Sequence, residues 1–246
     1  MKNADFGFAL DFDGTIVNSI DLVWKVQDAI LERYDIQRTP ELDRKIERKI
    51  NEILAQENRK IGKPIMIAIF KLLGLNFFQR IRALLLARKL FKEESANISL
   101  FDGAREMFSL LEEKGIPYTI VTTSSNAEVA DRLEEKYSEF YGKVRDRIIA
   151  RDDVKMRKPH PESLQKAARK MNLPPENVVV VGDMKADIEL GKSVGAITVG
   201  VLTGFLNEKQ FQQLETDHVI DSIAKIPDVL DEIERQIQEK KAKEEK

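Results

Sequence analysis

The sequence contains no cysteine. Disulfide staples, thiolate nucleophiles and cysteine-ligated metal centres are therefore excluded. Histidine is nearly as scarce, with only His160 and His218, too few for a histidine-based metal centre. The charge is almost balanced: 33% of residues are charged, yet the formal net charge is -2. A dedicated nucleic-acid binder is usually basic, so no nucleic-acid partner is expected. Long apolar runs are also missing. The most apolar stretch, Ile65 to Leu86, is broken by Lys71, Gln79, Arg80 and Arg82, so no membrane partner is expected either. No dinucleotide glycine fingerprint follows a predicted strand, and no internal repeat is visible. The chain enters its first apolar run almost at once, which leaves no room for a leader and makes the cytoplasm the simplest location.

What is present is ample apolar material. Hydrophobic residues make up 42% of 246 residues, enough for one large domain or a medium core with a smaller unit. The stretch from Phe6 to Thr15 organises the rest: an apolar run ends abruptly in Asp11, Asp13, Gly14 and Thr15. A buried parallel strand delivers a site at its C-terminal edge in this way. If the strand continues that far, Asp11 and Asp13 point to the same side and can serve one pocket. Two acids so close call for a cation, a lysine or a shared proton. Gly14 lets the chain turn and bring N–H groups towards an anion.

Helical periodicity then holds for about 80 residues. Ile20 to Tyr34, Leu42 to Leu54, Ile65 to Leu73 and Phe77 to Phe91 are predicted helices. Thr39-Pro40 starts the second, and breaks fall at Ile61 to Pro64 and at Gly74. Trp24, Phe70, Phe77 and Phe78 are expected to form the core of this helical insert. From Phe101 onward, strands alternate with helices. Predicted strands are Tyr118–Val121, Arg147–Ala150, Val178–Val181, Ala196–Val201 and an edge strand His218–Ile220. Predicted helices are Gly103–Lys114, Asn126–Tyr137, His160–Met171, Lys185–Gly195 and one bearing Ile226, Val229, Leu230, Ile233 and Ile237. The pattern implies an α/β fold, a doubly wound parallel sheet with an inserted all-helical domain. Its sites lie beyond the strand C-termini, where Asp11 to Thr15, Thr122 to Ser125 and Asp183 to Asp187 fall.

Four motifs occur in order: Asp11-Phe12-Asp13-Gly14-Thr15, a strand ending in Thr122, Lys158-Pro159-His160-Pro161, and Gly182-Asp183-Met184-Lys185-Ala186-Asp187. Together they resemble the haloacid dehalogenase superfamily of phosphotransferases, in particular its phosphoglycolate phosphatase and beta-phosphoglucomutase-like members. The resemblance implies a Rossmann-like catalytic core over residues 1–15 and 99–246, with a helical cap over 16–98. It implies that Asp11 is the nucleophile and forms an aspartyl-phosphate. Asp13 would be the acid that protonates the leaving group and the base that activates water. Thr122 or Thr123 would hold a phosphoryl oxygen, and Lys158 would offset charge. Mg²⁺ is the implied cofactor, held by Asp11, Asp13 through its carbonyl, and Asp183. Asp187 is implied in the metal shell or behind Lys158, or else is a helix-start residue. Ser124 and Ser125 read equally as helix caps or ligands. His160 reads as a helix start, and Lys155 and Arg157 as solvated charges. Gly62 and Lys63 resemble a cap loop that dips towards the substrate, or form an ordinary turn.

The implied function is a Mg²⁺-dependent phosphomonoester hydrolase acting on a small phosphorylated metabolite. A phosphomutase of the beta-phosphoglucomutase kind is the alternative. Thr15 favours hydrolysis, since that subgroup usually carries a branched aliphatic residue there. Asp13 disfavours a true dehalogenase or a phosphonoacetaldehyde hydrolase. Oligomeric state stays open, and nothing in the sequence demands more than a monomer.

Overall fold

A computed structural model describes residues 4–54 and 63–244. Six strands form one sheet: β1 (Gly7–Leu10), β2 (Tyr118–Val121), β3 (Ile148–Ile149), β4 (Val178–Gly182), β5 (Thr198–Val201) and β6 (His218–Ile220). Their spatial order is β3-β2-β1-β4-β5-β6, and every pairing is parallel. Parallel neighbours require crossover connections, and helices supply them here. β1 and β4 are buried along their whole length, as strands covered on both faces must be. Ala9 stands opposite Thr119 on one side and Val180 on the other. Strand order reverses between β1 and β4, so the crevice beyond their C-termini is the switch point of the sheet.

Close packing sets the sheet's surroundings. The helices in this unit are α5 (Ala104–Glu113), α6 (Asn126–Leu133), α7 (Ser138–Val144), α8 (Glu162–Met171), α9 (Lys185–Lys192), α10 (Glu208–Gln213) and α11 (Ile226–Glu244). α8 lays Leu164, Ala167 and Ala168 in one cluster with Ala9, Val121, Val178 and Val180, joined by Leu190 of α9. Alanines at the contact let the helix approach the sheet closely. Gly7 serves the same end, since a Cβ there would lie 2.8 Å from the Met171 Sδ of α8. The expected helix Asn126–Tyr137 ends earlier, at Leu133, and α7 follows as a separate element that the periodicity did not reveal. α10 was also not anticipated. Its start is fixed by a reciprocal cap between Asn207 and Gln210.

The chain divides into two compact units, Met1–Ile20 with Ala96–Lys246, and Asp21–Ser95. Residues 16–20 and 96–98 thus fall with the sheet unit. A short neck accounts for this. Val17 bridges Leu100 in antiparallel fashion, Asn18 N–H donates to Ser99 (2.8 Å), and Phe101 N–H donates to Ile16 (2.9 Å).

The second unit contains all but the first residue of α1 (Ile20–Arg33), together with α2 (Pro40–Leu54), α3 (Lys63–Leu72) and α4 (Phe77–Glu94). The Leu42 N–H donates to the Thr39 hydroxyl at the start of α2, and Asn76 and Gln79 form a capping box on α4. Gly74 ends the preceding segment with a positive φ of 75°. The aromatic expectation needs correction. Phe70 is buried, but Phe77 and Phe78 are 62% and 73% exposed, and Trp24 also faces solvent. The buried side of α4 carries Ala83 and Ala87, one turn apart. Small residues fill that face because a close approach leaves no room for rings, and the aromatic first turn is left outside. Among the described residues no helix is long and apolar enough to cross a membrane.

Candidate active site

β1 stops at Leu10, and the chain turns before Asp13. The two acids are therefore not held by strand alternation, as the sequence suggested. Asp11 still extends the strand, donating its N–H to Val181 (2.8 Å). Asp13 lies in the following loop, bridged to Val17. Between them Phe12 is fully buried and anchors the turn. Gly14 has a φ of 79°, and a Cβ there would lie 2.5 Å from Asp183 Oδ2. Only glycine permits that approach. Its own N–H donates to the Val17 carbonyl (2.9 Å).

Lys158 closes the site from the loop before α8. Its ammonium donates to Asp11 Oδ1 (2.5 Å) and Asp187 Oδ1 (2.6 Å), with only 4% of the side chain exposed. The neighbouring Lys155 and Arg157 are exposed, so burial singles out Lys158 among three nearby cations. Asp187 is both things the sequence allowed: it holds Lys158, and its Oδ2 accepts the Met184 N–H (3.2 Å) at the start of α9. Gly182 makes room for it, since a Cβ there would sit 2.3 Å from the Asp187 carboxyl carbon.

Asp183, at the end of β4, is 2% exposed, and its Oδ1 has no hydrogen-bond partner. Asp11, Asp183 and Asp187 each offer a carboxylate oxygen, and these oxygens lie within 4.8 Å of one another. Three buried acids face one buried lysine, so negative charge is left over. Burial pushes Asp11 up to about 7, with Lys158 pulling it down and Asp187 and Asp13 adding to the rise. Burial also drives Asp183 well above the carboxylate range, helped by Asp11 and Asp187. Burial pulls Lys158 down, but the two carboxylates more than offset it, and its ammonium is held above the ordinary lysine range. An all-oxygen donor set with an orphaned buried oxygen suits a hard divalent cation.

The rest of the site was less legible. Thr122 is buried just past β2. Its N–H donates to Ile149 (3.0 Å), and its hydroxyl accepts from the Ser124 N–H (3.0 Å); Thr123 is exposed. Ser125 and Glu128 form the capping box of α6, whereas the Ser124 hydroxyl donates to Asp13 Oδ2 (2.7 Å). Arg132 of α6 donates to Asp13 Oδ1 (2.5 Å), a partner the sequence did not suggest. Behind Asp183 comes the loop after β5. The Thr203 hydroxyl donates to the Gly14 carbonyl (2.6 Å), and a Cβ on Gly204 would fall 1.9 Å from Asp183 Oδ2. A Thr-Gly pair just past a strand end is the signal that could have pointed there. His160 accepts the Glu162 N–H at the start of α8 (3.2 Å), a helix-start contact. Gly62 and the Lys63 side chain lie outside the described residues.

The profile described as haloacid dehalogenase-like hydrolase matches residues 9–201. A phosphoglycolate phosphatase of Escherichia coli (strain K12) is 27% identical over 235 residues, covering 88% of this chain and 89% of that protein. The fold recurs in a HAD family hydrolase from Deinococcus radiodurans R1, solved with bound phosphate and sodium (TM-score 0.74, 20% identity, covering 94% of this chain and 97% of that one). It recurs also in a putative beta-phosphoglucomutase from Thermotoga maritima (TM-score 0.66, 23% identity, covering 92% and 99%). The chain belongs to the haloacid dehalogenase-like hydrolases. In sequence it is similar to phosphoglycolate phosphatase, and in fold to a putative beta-phosphoglucomutase and a putative phosphoglycolate phosphatase.

Proposed function

We propose that the protein is a Mg²⁺-dependent phosphomonoester hydrolase acting on a small phosphorylated metabolite. One observation carries the reading: Lys158 is locked between Asp11 and Asp187 while the buried Asp183 Oδ1 beside them has no partner. A phosphate ester needs an in-line nucleophile, charge neutralisation and a proton for the leaving oxygen. Asp11 attacks phosphorus, the ester P–O bond breaks, and Asp13 gives its proton to the leaving oxygen. Asp13, now a carboxylate, takes a proton from water; the resulting hydroxide attacks phosphorus and frees Asp11. Lys158 offsets the charge on Asp11 and on the phosphoryl oxygens, and Asp187 keeps Lys158 in place. Thr122, with the Thr123 amide beside it, holds a phosphoryl oxygen. Mg²⁺, held by Asp11, Asp183 and the Asp13 carbonyl, would neutralise the phosphoryl group when bound.

The helical unit Asp21–Ser95 is proposed as a cap that excludes water and selects the substrate. A cap favours small esters over macromolecular phosphates. The name of the Escherichia coli relative makes 2-phosphoglycolate the first ester to test. The full chain should be screened against phosphorylated metabolites, sugar phosphates included, with and without Mg²⁺. Release of inorganic phosphate from one small ester, only with the metal, is the expected result. Isomerisation of a sugar phosphate without phosphate release would assign the mutase outcome instead. No turnover of any ester would overturn both.

A further inference from the structure

Asp13 is gripped from a direction that the four motifs do not cover. Arg132 lies on α6, 119 residues further along the chain, and its guanidinium donates to Asp13 Oδ1 at 2.5 Å. The same nitrogen reaches the Ser124 hydroxyl at 3.3 Å, and that hydroxyl donates to Asp13 Oδ2 at 2.7 Å. The three groups close a ring in which each carboxylate oxygen has one donor. A carboxylate oxygen has two lone pairs, so one on each oxygen stays free for the reaction. Arg132 is itself confined: its side chain is only 14% exposed and its guanidinium lies 5.8 Å from the centre of the Phe12 ring, although its buried Nε has no hydrogen-bond partner. A side chain so confined has little rotamer freedom left to lose when it orients a partner.

We propose that Arg132, acting with Ser124, is a positioning residue that fixes the Asp13 carboxyl for proton delivery to the leaving oxygen. The proposal rests on the reading of Asp13 as the acid. It makes a demand that a merely structural ion pair does not. Proton delivery matters most when the leaving oxygen is strongly basic, as in an alkyl ester, and least for an aryl ester whose leaving group departs readily. The step concerned is phosphoryl transfer to Asp11, so kcat/KM is the informative constant.

The test compares an alkyl phosphate substrate found in the metabolite screen with 4-nitrophenyl phosphate, using wild type, Arg132→Met, Arg132→Lys, Ser124→Ala and Asp13→Asn. Arg132→Met should lower kcat/KM for the alkyl ester by about 10²-fold, within the usual range for general acid–base catalysis, and for the aryl ester by markedly less. Arg132→Lys keeps the charge without the planar fork and should recover part of the alkyl-ester loss. Ser124→Ala should show the same substrate bias with a smaller loss, and it serves if Arg132→Met fails to fold. The deciding measurement is the double variant Asp13→Asn/Arg132→Met. If Arg132 works through Asp13, it should be no slower on the alkyl ester than Asp13→Asn alone. Equal losses on both esters, or additive losses in the double variant, would overturn the proposal. A flat leaving-group response of Asp13→Asn itself would instead overturn the role of Asp13 on which it rests.

Discussion

Asp11 and Asp13 are separated by a single residue and occupy opposite environments. Asp11 is buried against Lys158 and two further acids, while 30% of the Asp13 side chain meets solvent and its partners are Arg132 and Ser124. In the proposed mechanism the nucleophile has a buried lysine to offset its charge, while the acid lies where solvent reaches it. The two carboxylates would then take different tasks from what surrounds them, not from where they stand in the motif.

The comparison can be broken most severely at Asp11. Asp11→Asn should lower kcat by about 10⁴-fold or more at unchanged circular dichroism, for alkyl and aryl esters alike, because the attacking group is gone. Activity within tenfold of wild type at equal purity would end the nucleophile assignment. Next come the two cations. Lys158→Met leaves buried carboxylates without a counter-charge and should cost about 3–5 kcal/mol in urea unfolding. Arg132→Met, facing a partly solvated acid, should cost no more than about 1 kcal/mol. Similar losses would mean that the two settings differ less than their burial implies.

Acidity provides a smaller contrast. Asp11 titrates near 7 in the fold against about 4 when unfolded, and Asp183 is raised in the same direction. Between those values the native state binds more protons than the unfolded chain, so metal-free stability falls as pH rises from about 4 to 7. Lys158, held above its ordinary range, keeps its proton in both states across this window and adds no slope. Thermal melts in chelator should show the decline, Mg²⁺ should reverse it at pH 7, and Asp183→Asn should flatten it. A melting temperature of the chelated wild type that rises over this interval by more than that of Asp183→Asn would contradict the account. The smallest effect belongs to the helical unit, where burial again separates like residues. Phe78→Ser should shift stability by no more than about 0.5 kcal/mol, whereas Phe70→Ala should cost about 3–5 kcal/mol.

The sheet and its order of elements were legible because each strand is a short apolar run closed by a polar cluster. Asp11, Lys158, Asp183 and Asp187 were legible because each sits in a local motif at a strand end or in a loop. The Asp13–Arg132 pair was not, since α6 reads only as an amphipathic helix and nothing local marks its one cation as turned inward. Ser124 and Ser125 look alike in sequence, yet one faces Asp13 and the other caps α6. The aromatics at 77 and 78 misled for the opposite reason. Ring size suggests burial, but the packed side of α4 was chosen by Ala83 and Ala87.

The neck at Ile16–Asn18 and Ser99–Phe101 has a consequence for how this architecture can change. Because both ends of the helical excursion are tied together within the sheet unit, the sheet sees only a closed junction, whatever lies beyond it. Lengthening or replacing the excursion alters closure entropy only logarithmically, by about 0.6 kcal/mol per doubling of a flexible segment. The junction thus decouples the length of the excursion from the register of the sheet that carries the acids.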